Sequence, residues 1–334
     1  MTAAVRVSVF AKTDLGQTRD HNEDSFLVAN LSSGVASLMP DVREHEVGPR
    51  GSLFLVADGM GGAAAGELAS SMATEVIWQH LLTTWANDTE LSGERLALRM
   101  REAVERANAE LFQYAEEHPE VRGMGTTLTM VGVLGSDAYL AQIGDSRAYL
   151  VRSGRTYQLT RDQSLTQRLV DAGELSEEEA EKSERRNIIL QALGPDVQVR
   201  VDLSQQSLRR GDVLIMCSDG LSGLVKRDEI GEVAGRVQEL PDLCSALIDL
   251  ANSRGGPDNI TVVAARFGGA GLADPEPADE VGYRNLPAED EVTVELPTVP
   301  PLVAPELRTG SPRTVLIGAL VIAVLIALAW ILLF

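Results

Sequence analysis

Aspartates recur at the edges of apolar runs, each beside Gly, Ser or Asn: V-A-D58-G, I-G-D145-S, C-S-D219-G and G-P-D258-N. Another acidic group, N22-E-D24, comes just before the strand expected from Ser25. Asp beside Gly is a common turn, so any one of these could serve only its turn. Recurrence at strand ends changes the reading, because such ends in a layered domain can converge on a single rim. Carboxylates gathered there would repel and take up protons unless cations bind among them. With only oxygen ligands on offer, the cations should be hard ones, Mg²⁺ or Mn²⁺. Two such ions about 3.5–4 Å apart can ionise a water and clamp a phosphoryl oxygen. The sequence offers no Cys/His pair and no evident activated Ser, so metal-bound hydroxide is the natural nucleophile. A phosphate ester fits that chemistry, with an arginine gripping its free oxygens in a fork.

The stretch around Asp58 admits a rival. Gly59, Gly61 and Ala64 match the G-x-G-x-x-A spacing of a dinucleotide-binding turn, as a nucleotide-binding oxidoreductase would require. That turn needs a βαβ unit and an acid at the end of a second strand. The helical stretch after Gly66 leads instead into another helix, and Asp58 would have to meet the pyrophosphate. A second rival is a non-catalytic module that binds phosphoproteins or metal without hydrolysis; such a module would be expected to lose carboxylates that this chain keeps.

Strands are expected at residues 5–11, 25–30, 52–57, 126–134, 138–143, 147–151, 213–217 and 260–267. Between the third and fourth lies a long helical region. Leu68, Met72, Val76 and Leu81 fall on one face, and Leu96, Met100, Val104, Ala107 and Leu111 on the face of a second helix. The turns G-S-D and G-D-S are too short for crossovers and predict antiparallel meanders. Residues 163–190 look like a helical insertion: Leu165, Leu169 and Ala172 share a face, Gly173 suits a C-terminal cap, and Ser176 with Glu179 makes a capping box. A further helix is expected near residues 240–253. Strands in blocks with helix pairs between them give an α+β class, sheets packed together with helices outside.

At 334 residues with 44% apolar content, the chain can bury one large core or two modest ones. Acids outnumber bases 49 to 29, a formal charge of -20, which argues against nucleic acid because phosphate backbones are held by Lys and Arg. Cys217 and Cys244 show neither metal-type spacing nor a disulfide pattern and read as buried thiols. His21, His45, His80 and His118 are scattered, with no zinc motif. Residues 269–313 hold eight of the fourteen prolines, nine acids and only three bases, a composition expected of a disordered linker. The folded part is therefore expected over residues 1–268. After Arg313 come twenty-one residues without a charge, 314–334, about the length that crosses a hydrocarbon core. They are expected to form a C-terminal transmembrane helix. Arg308 and Arg313 precede it, and no secretory signal is evident at the N-terminus, so the bulk of the protein is expected to face the cytoplasm from the cell membrane.

Six segments, R19-D-H-N-E-D24, V56-A-D-G-M-G-G62, G123-M-G-T-T-L128, I143-G-D-S-R147, C217-S-D-G-L221 and G256-P-D-N-I-T261, occur in one order. In order and spacing the chain resembles the metal-dependent Ser/Thr protein phosphatases of type 2C, over residues 1–267. The resemblance implies a four-layer α/β/β/α sandwich, two antiparallel sheets flanked by helix pairs, with two Mn²⁺ or Mg²⁺ ions in a rim cleft. Asp58 would bridge them; Asp219 and Asp258 would complete one site, and Glu23 with the Gly59 carbonyl the other. Asp24 and Asn259 would orient the waters on the metals. Asp145, with Asp219, matches the family's weaker third site, and Arg19 matches the phosphate-gripping arginine. Arg147 reads as a structural ion-pair residue. Residues 162–187 resemble the flap beside the cleft in bacterial members, which is linked to substrate choice. One departure stands out: many eukaryotic relatives carry His after the Asp-Gly of the first cluster, as proposed general acid, whereas this chain has Met60. The implied partners are phosphorylated proteins and an opposing Ser/Thr protein kinase, in a bacterial setting.

Overall fold

The computed structural model of the chain describes residues 4–37 and 43–286. Along the chain run β1 (Arg6–Asp14), β2 (Asp24–Asn30), β3 (Val35–Ser37), β4 (Arg43–Glu46), β5 (Ser52–Met60), α1 (Ala63–Thr83) and α2 (Gly93–Glu117). Next come β6 (Gly125–Thr126), β7 (Leu128–Leu134), β8 (Asp137–Ile143), β9 (Arg147–Arg152), β10 (Arg155–Gln158), α3 (Leu165–Asp171) and α4 (Glu177–Lys182). The last elements are β11 (Asp202–Ser207), β12 (Val213–Cys217), α5 (Asp219–Ser222), α6 (Arg227–Arg236), α7 (Leu240–Ser253) and β13 (Ile260–Gly268).

Among the described residues the strands form two sheets. One has the order β10-β9-β12-β13-β1-β4, the other β11-β8-β7-β5-β2-β3, with β6 paired to β5. The strand pairs are antiparallel throughout, as short turns dictate. This excludes the dinucleotide-binding alternative, because β5 is followed by α1 and α2 in succession and pairs with antiparallel β2 and β7.

Alternation along each central strand builds the layers. Leu53, Leu55 and Ala57 of β5 join the core under α1 and α2, while Phe54 and Val56 point into the core between the sheets. On the other sheet Leu214 and Met216 of β12 face that shared core, and Val213, Ile215 and Cys217 face α6 and α7. Strands covered on both faces are apolar throughout, which is why they read as uninterrupted runs. Four layers result, helices outside and sheets inside.

Two expectations need correction. The face of α1 that packs most deeply is Ala65, Ala69, Ala73, Ile77 and Leu81, at four-residue steps. Leu68, Met72 and Val76 are only partly buried beside it. Alanines let the helix lie close to the sheet, so the largest side chains do not mark the contact. In α2, by contrast, Leu96, Met100, Val104, Ala107 and Leu111 are all buried as expected.

The ordered chain also does not stop at 268. Leu272 is buried in the core between the sheets, and the Gly271 amide donates to the Ala4 carbonyl at 3.0 Å. Arg209 grips Asp279 at 2.6 Å, and the Leu286 amide donates to the Leu203 carbonyl of β11 at 2.8 Å. Proline and acid content suggested a linker, but Asp279 is held by Arg152 of β9 and by Arg209 rather than solvated, whereas Asp274 and Glu280 are exposed. The rest of the expected linker, residues 287–313, and the expected transmembrane helix, 314–334, lie outside the described residues. Among the described residues no helix is long and apolar enough to cross a membrane.

Candidate active site

Register brings the acids together. In the β2–β5 pairing Asp24 stands opposite Asp58. On the facing sheet β12 ends at Cys217, with Asp219 two residues beyond, and β13 begins at Ile260, two residues after Asp258. Asp145 lies in the turn from β8 to β9. Carboxylates from both sheets thus meet at one rim.

Their environment is hostile to negative charge. Burial first, then the nearby Asp24, Asp219, Asp145 and Asp258, push the Asp58 carboxyl well above the ordinary range. Asp145 rises to about 8, through burial and then Asp219 and Asp162. Asp24 rises to about 7, mainly through burial, although hydroxyls of Thr261 and Ser218 favour its ionised form. Asp219 is raised by burial and by Asp258, and hydrogen bonding with Asp58 works the other way. Glu23 is raised by burial, with Arg19 opposing. Two buried oxygens, Asp24 Oδ1 and Asp145 Oδ1, have no hydrogen-bond partner.

Among the described residues no group of three or more His, Cys, Asp or Glu side chains forms a ready-made metal cage. The donors nonetheless suit a hard divalent cation: they are all oxygen, Glu23 and Asp145 are buried, and the upward shifts of Glu23, Asp24, Asp58, Asp145 and Asp219 fit a place where positive charge is favoured. Arg19 supplies part of that charge, with Nη2 2.9 Å from Asp258 Oδ2 and Nη1 3.9 Å from Glu23 Oε1, and stays nearly half exposed.

A polar frame fixes the acids. Asn259 accepts from the Glu23 amide at 2.8 Å and donates to the carbonyls of Leu15 and His21, bolting the Arg19–Glu23 loop to β13. Asp24 Oδ2 accepts from Ser218 Oγ at 2.7 Å and lies 2.6 Å from Thr261 Oγ1. The Asp58 amide donates to Thr127 Oγ1, and its carbonyl accepts from the Thr126 hydroxyl and the Thr127 amide. The Gly59 amide donates to the Glu23 carbonyl at 3.0 Å. At Gly59 a Cβ would stand 2.1 Å from the Gly66 carbonyl oxygen, and at Gly66 only 2.0 Å from Glu23 Oε2. The two glycines therefore let β5, α1 and the Glu23 carboxylate close on one another.

Each expected site residue falls at this rim: Arg19, Glu23, Asp24, Asp58, Gly59, Asp145, Asp219, Asp258 and Asn259. Arg147 pairs with Asp162 through Nη2–Oδ2 at 2.7 Å, the structural role expected of it. His21 is exposed, and Met60 is half-buried at the end of β5. Cys217 and Cys244 are buried free thiols, pushed up to about 12 by burial. The hydroxyls of Thr126, Thr127, Ser218 and Thr261 were not foreseen as parts of the frame. They lie inside G-T-T-L, C-S-D-G and N-I-T, so their position beside the acids was the available signal.

The insertion expected over residues 163–190 holds α3 and α4, with the capping box of Ser176 and Glu179 formed and Gly173 at φ 72° after α3. Its expected apolar face is not a buried one. Thr166 is the one buried residue of α3, and Ala172 is exposed.

Sequence and structure comparisons agree with this geometry. A profile of the family described as Protein phosphatase 2C matches residues 40–246. A serine/threonine phosphatase of Listeria monocytogenes is 37% identical over 253 residues, 75% of this chain and 92% of its own length. The crystal structure of the Mycobacterium tuberculosis serine/threonine phosphatase PstP superposes with a TM-score of 0.64 at 34% identity, covering 81% of this chain and all of that one. A PstP catalytic domain in complex with two manganese ions matches at 34% identity and TM-score 0.64, over 79% of this chain and 99% of that one. The chain belongs to the protein phosphatase 2C family.

Proposed function

We propose that this protein is a metal-dependent phosphatase that hydrolyses phosphoserine and phosphothreonine in proteins, opposing a Ser/Thr protein kinase. The observation that carries the reading is the rim itself, where carboxylates at strand ends of both sheets converge and call for cations. Asp58, Asp219 and Asp258 would hold one Mn²⁺ or Mg²⁺, and Asp58, Glu23 and the Gly59 carbonyl a second; Asp145 with Asp219 would hold a weaker third. Such cations supply acidification of water and neutralisation of phosphoryl charge. The polypeptide supplies position. Asp24 is locked by Ser218 and Thr261, Asn259 locks the loop that carries Glu23, and Thr126 and Thr127 fix the backbone of Asp58. Arg19, half exposed at the rim, would fork two phosphoryl oxygens of an incoming substrate. The test is phosphate release from a phosphothreonine peptide. Release with Mn²⁺ and none with chelator is expected; equal release in both would contradict the reading.

Residues 314–334 carry no charge and follow Arg308 and Arg313. They support anchorage in the cell membrane by a single helix with the phosphatase domain on the cytoplasmic side. Membranes from cells making the full chain, washed at high pH, should retain it in the pellet. Recovery in the wash would rule the anchor out.

A further inference from the structure

Helix α3 is anchored at its start, where the Leu165 amide donates to the Ile188 carbonyl at 2.9 Å, but buries little beyond that. It spans Leu165–Asp171, Ser164 caps it by accepting from the Gln167 amide at 3.2 Å, and Thr166 is its one buried residue. A helix this short has scant stability of its own and takes its order from tethers. One tether is internal: Gln167 Nε2 donates to Asp171 Oδ1 at 2.8 Å. Another is Arg161, whose Nη2 lies 2.5 Å from the same oxygen.

Arg161 is itself placed by a residue far along the chain. Its guanidinium carbon lies 5.9 Å from the ring centre of Tyr283, within cation–π range. The Tyr283 hydroxyl in turn donates to Asp202 of β11, 2.8 Å from Oδ1 and 3.0 Å from Oδ2. Tyr283 belongs to the segment that pairs along β11, where the Gln205 amide donates to Arg284 O and the Leu286 amide to Leu203 O. The base of the flap meets the acidic rim at the other end. The Gln163 amide donates to the Gly144 carbonyl at 2.8 Å, and Gln163 Oε1 accepts from the Gly144 amide at 3.0 Å, directly before Asp145.

We propose that Tyr283 and Arg161 are positioning residues through which the segment after β13 sets the flap helix, and with it the fit of protein substrates. On this proposal a phosphoprotein engages residues 165–182 and a small aryl phosphate does not. The proposal rests on the phosphatase reading for its substrate effect, but the coupling of segment to flap stands independently.

The test uses the full chain with Tyr283→Ala, Tyr283→Phe, Arg161→Ala and Arg161→Lys. Hydrogen exchange over residues 165–182 should quicken roughly fivefold in both alanine variants, the factor an exposed stacked cation contributes. Tyr283→Phe keeps the ring under the guanidinium and should stay near wild type, with Arg161→Lys between the two. KM for a phosphothreonine protein should rise in the alanine variants while turnover of p-nitrophenyl phosphate stays within about twofold. Flap exchange equal to wild type in both alanine variants overturns the coupling. A loss shared equally by the protein substrate and p-nitrophenyl phosphate overturns the substrate-fit role. If Tyr283→Ala does not fold, the half-exposed Arg161 variants decide alone. Failure to turn over either substrate in wild type would count against the phosphatase reading, and the exchange data would still judge the coupling.

Discussion

Asp24 and Asp145 show what the rim demands of single residues. Their carboxyls are held at about 7 and about 8 in the folded chain, against about 4 when unfolded. The folded state therefore binds their protons more tightly, and this contribution to stability is complete below the unfolded value. It is lost as pH rises through the folded values. Chelator-treated protein should accordingly melt several degrees lower at pH 8 than at pH 5, with the slope reduced in Asp145→Asn; a melting temperature that rises over this window would contradict the assignment. The acids themselves were legible, because Asp beside a small residue at the end of an apolar run recurs. Their hydroxyl partners were not, since a Ser or Thr in such a run can equally serve the strand.

At the scale of elements, the junction of β5 and α1 makes the sharpest demand. Gly66 lies within α1, where alanine would ordinarily stabilise the helix by about 1 kcal/mol. Here the added Cβ would sit 2.0 Å from Glu23 Oε2 and 3.0 Å from the Gly59 carbonyl carbon. Gly66→Ala should cut turnover by roughly 10–100-fold, as loss of a well-placed ligand environment does. The urea midpoint should move little by comparison; unchanged turnover would show that Glu23 needs no such cradle. The strands of the cores were legible from their apolar runs, but β4 (R-E-H-E) and β11 (D-L-S-Q-Q-S) were not. Both lie toward sheet edges, where charge and polarity block unwanted pairing and erase the apolar signal. The docking face of α1 was misread because alanines, not leucines, set its approach to the sheet.

For the whole molecule, two sheets share one core, and the strand ends deliver carboxylates to a common rim. The six ordered motifs made that architecture legible, including the helices on both outer faces. The end of the folded part was not legible, because composition alone cannot tell a solvated acid from one such as Asp279 that is paired with Arg209. The most direct measurement of the central claim is phosphate release from a phosphothreonine peptide by wild-type protein and Asp58→Asn across a Mn²⁺ titration. Wild type should rise from no activity to a plateau, with Asp58→Asn lower by at least about a hundredfold at every concentration. An Asp58→Asn curve that overlays wild type, or activity that persists at zero Mn²⁺, would contradict the account.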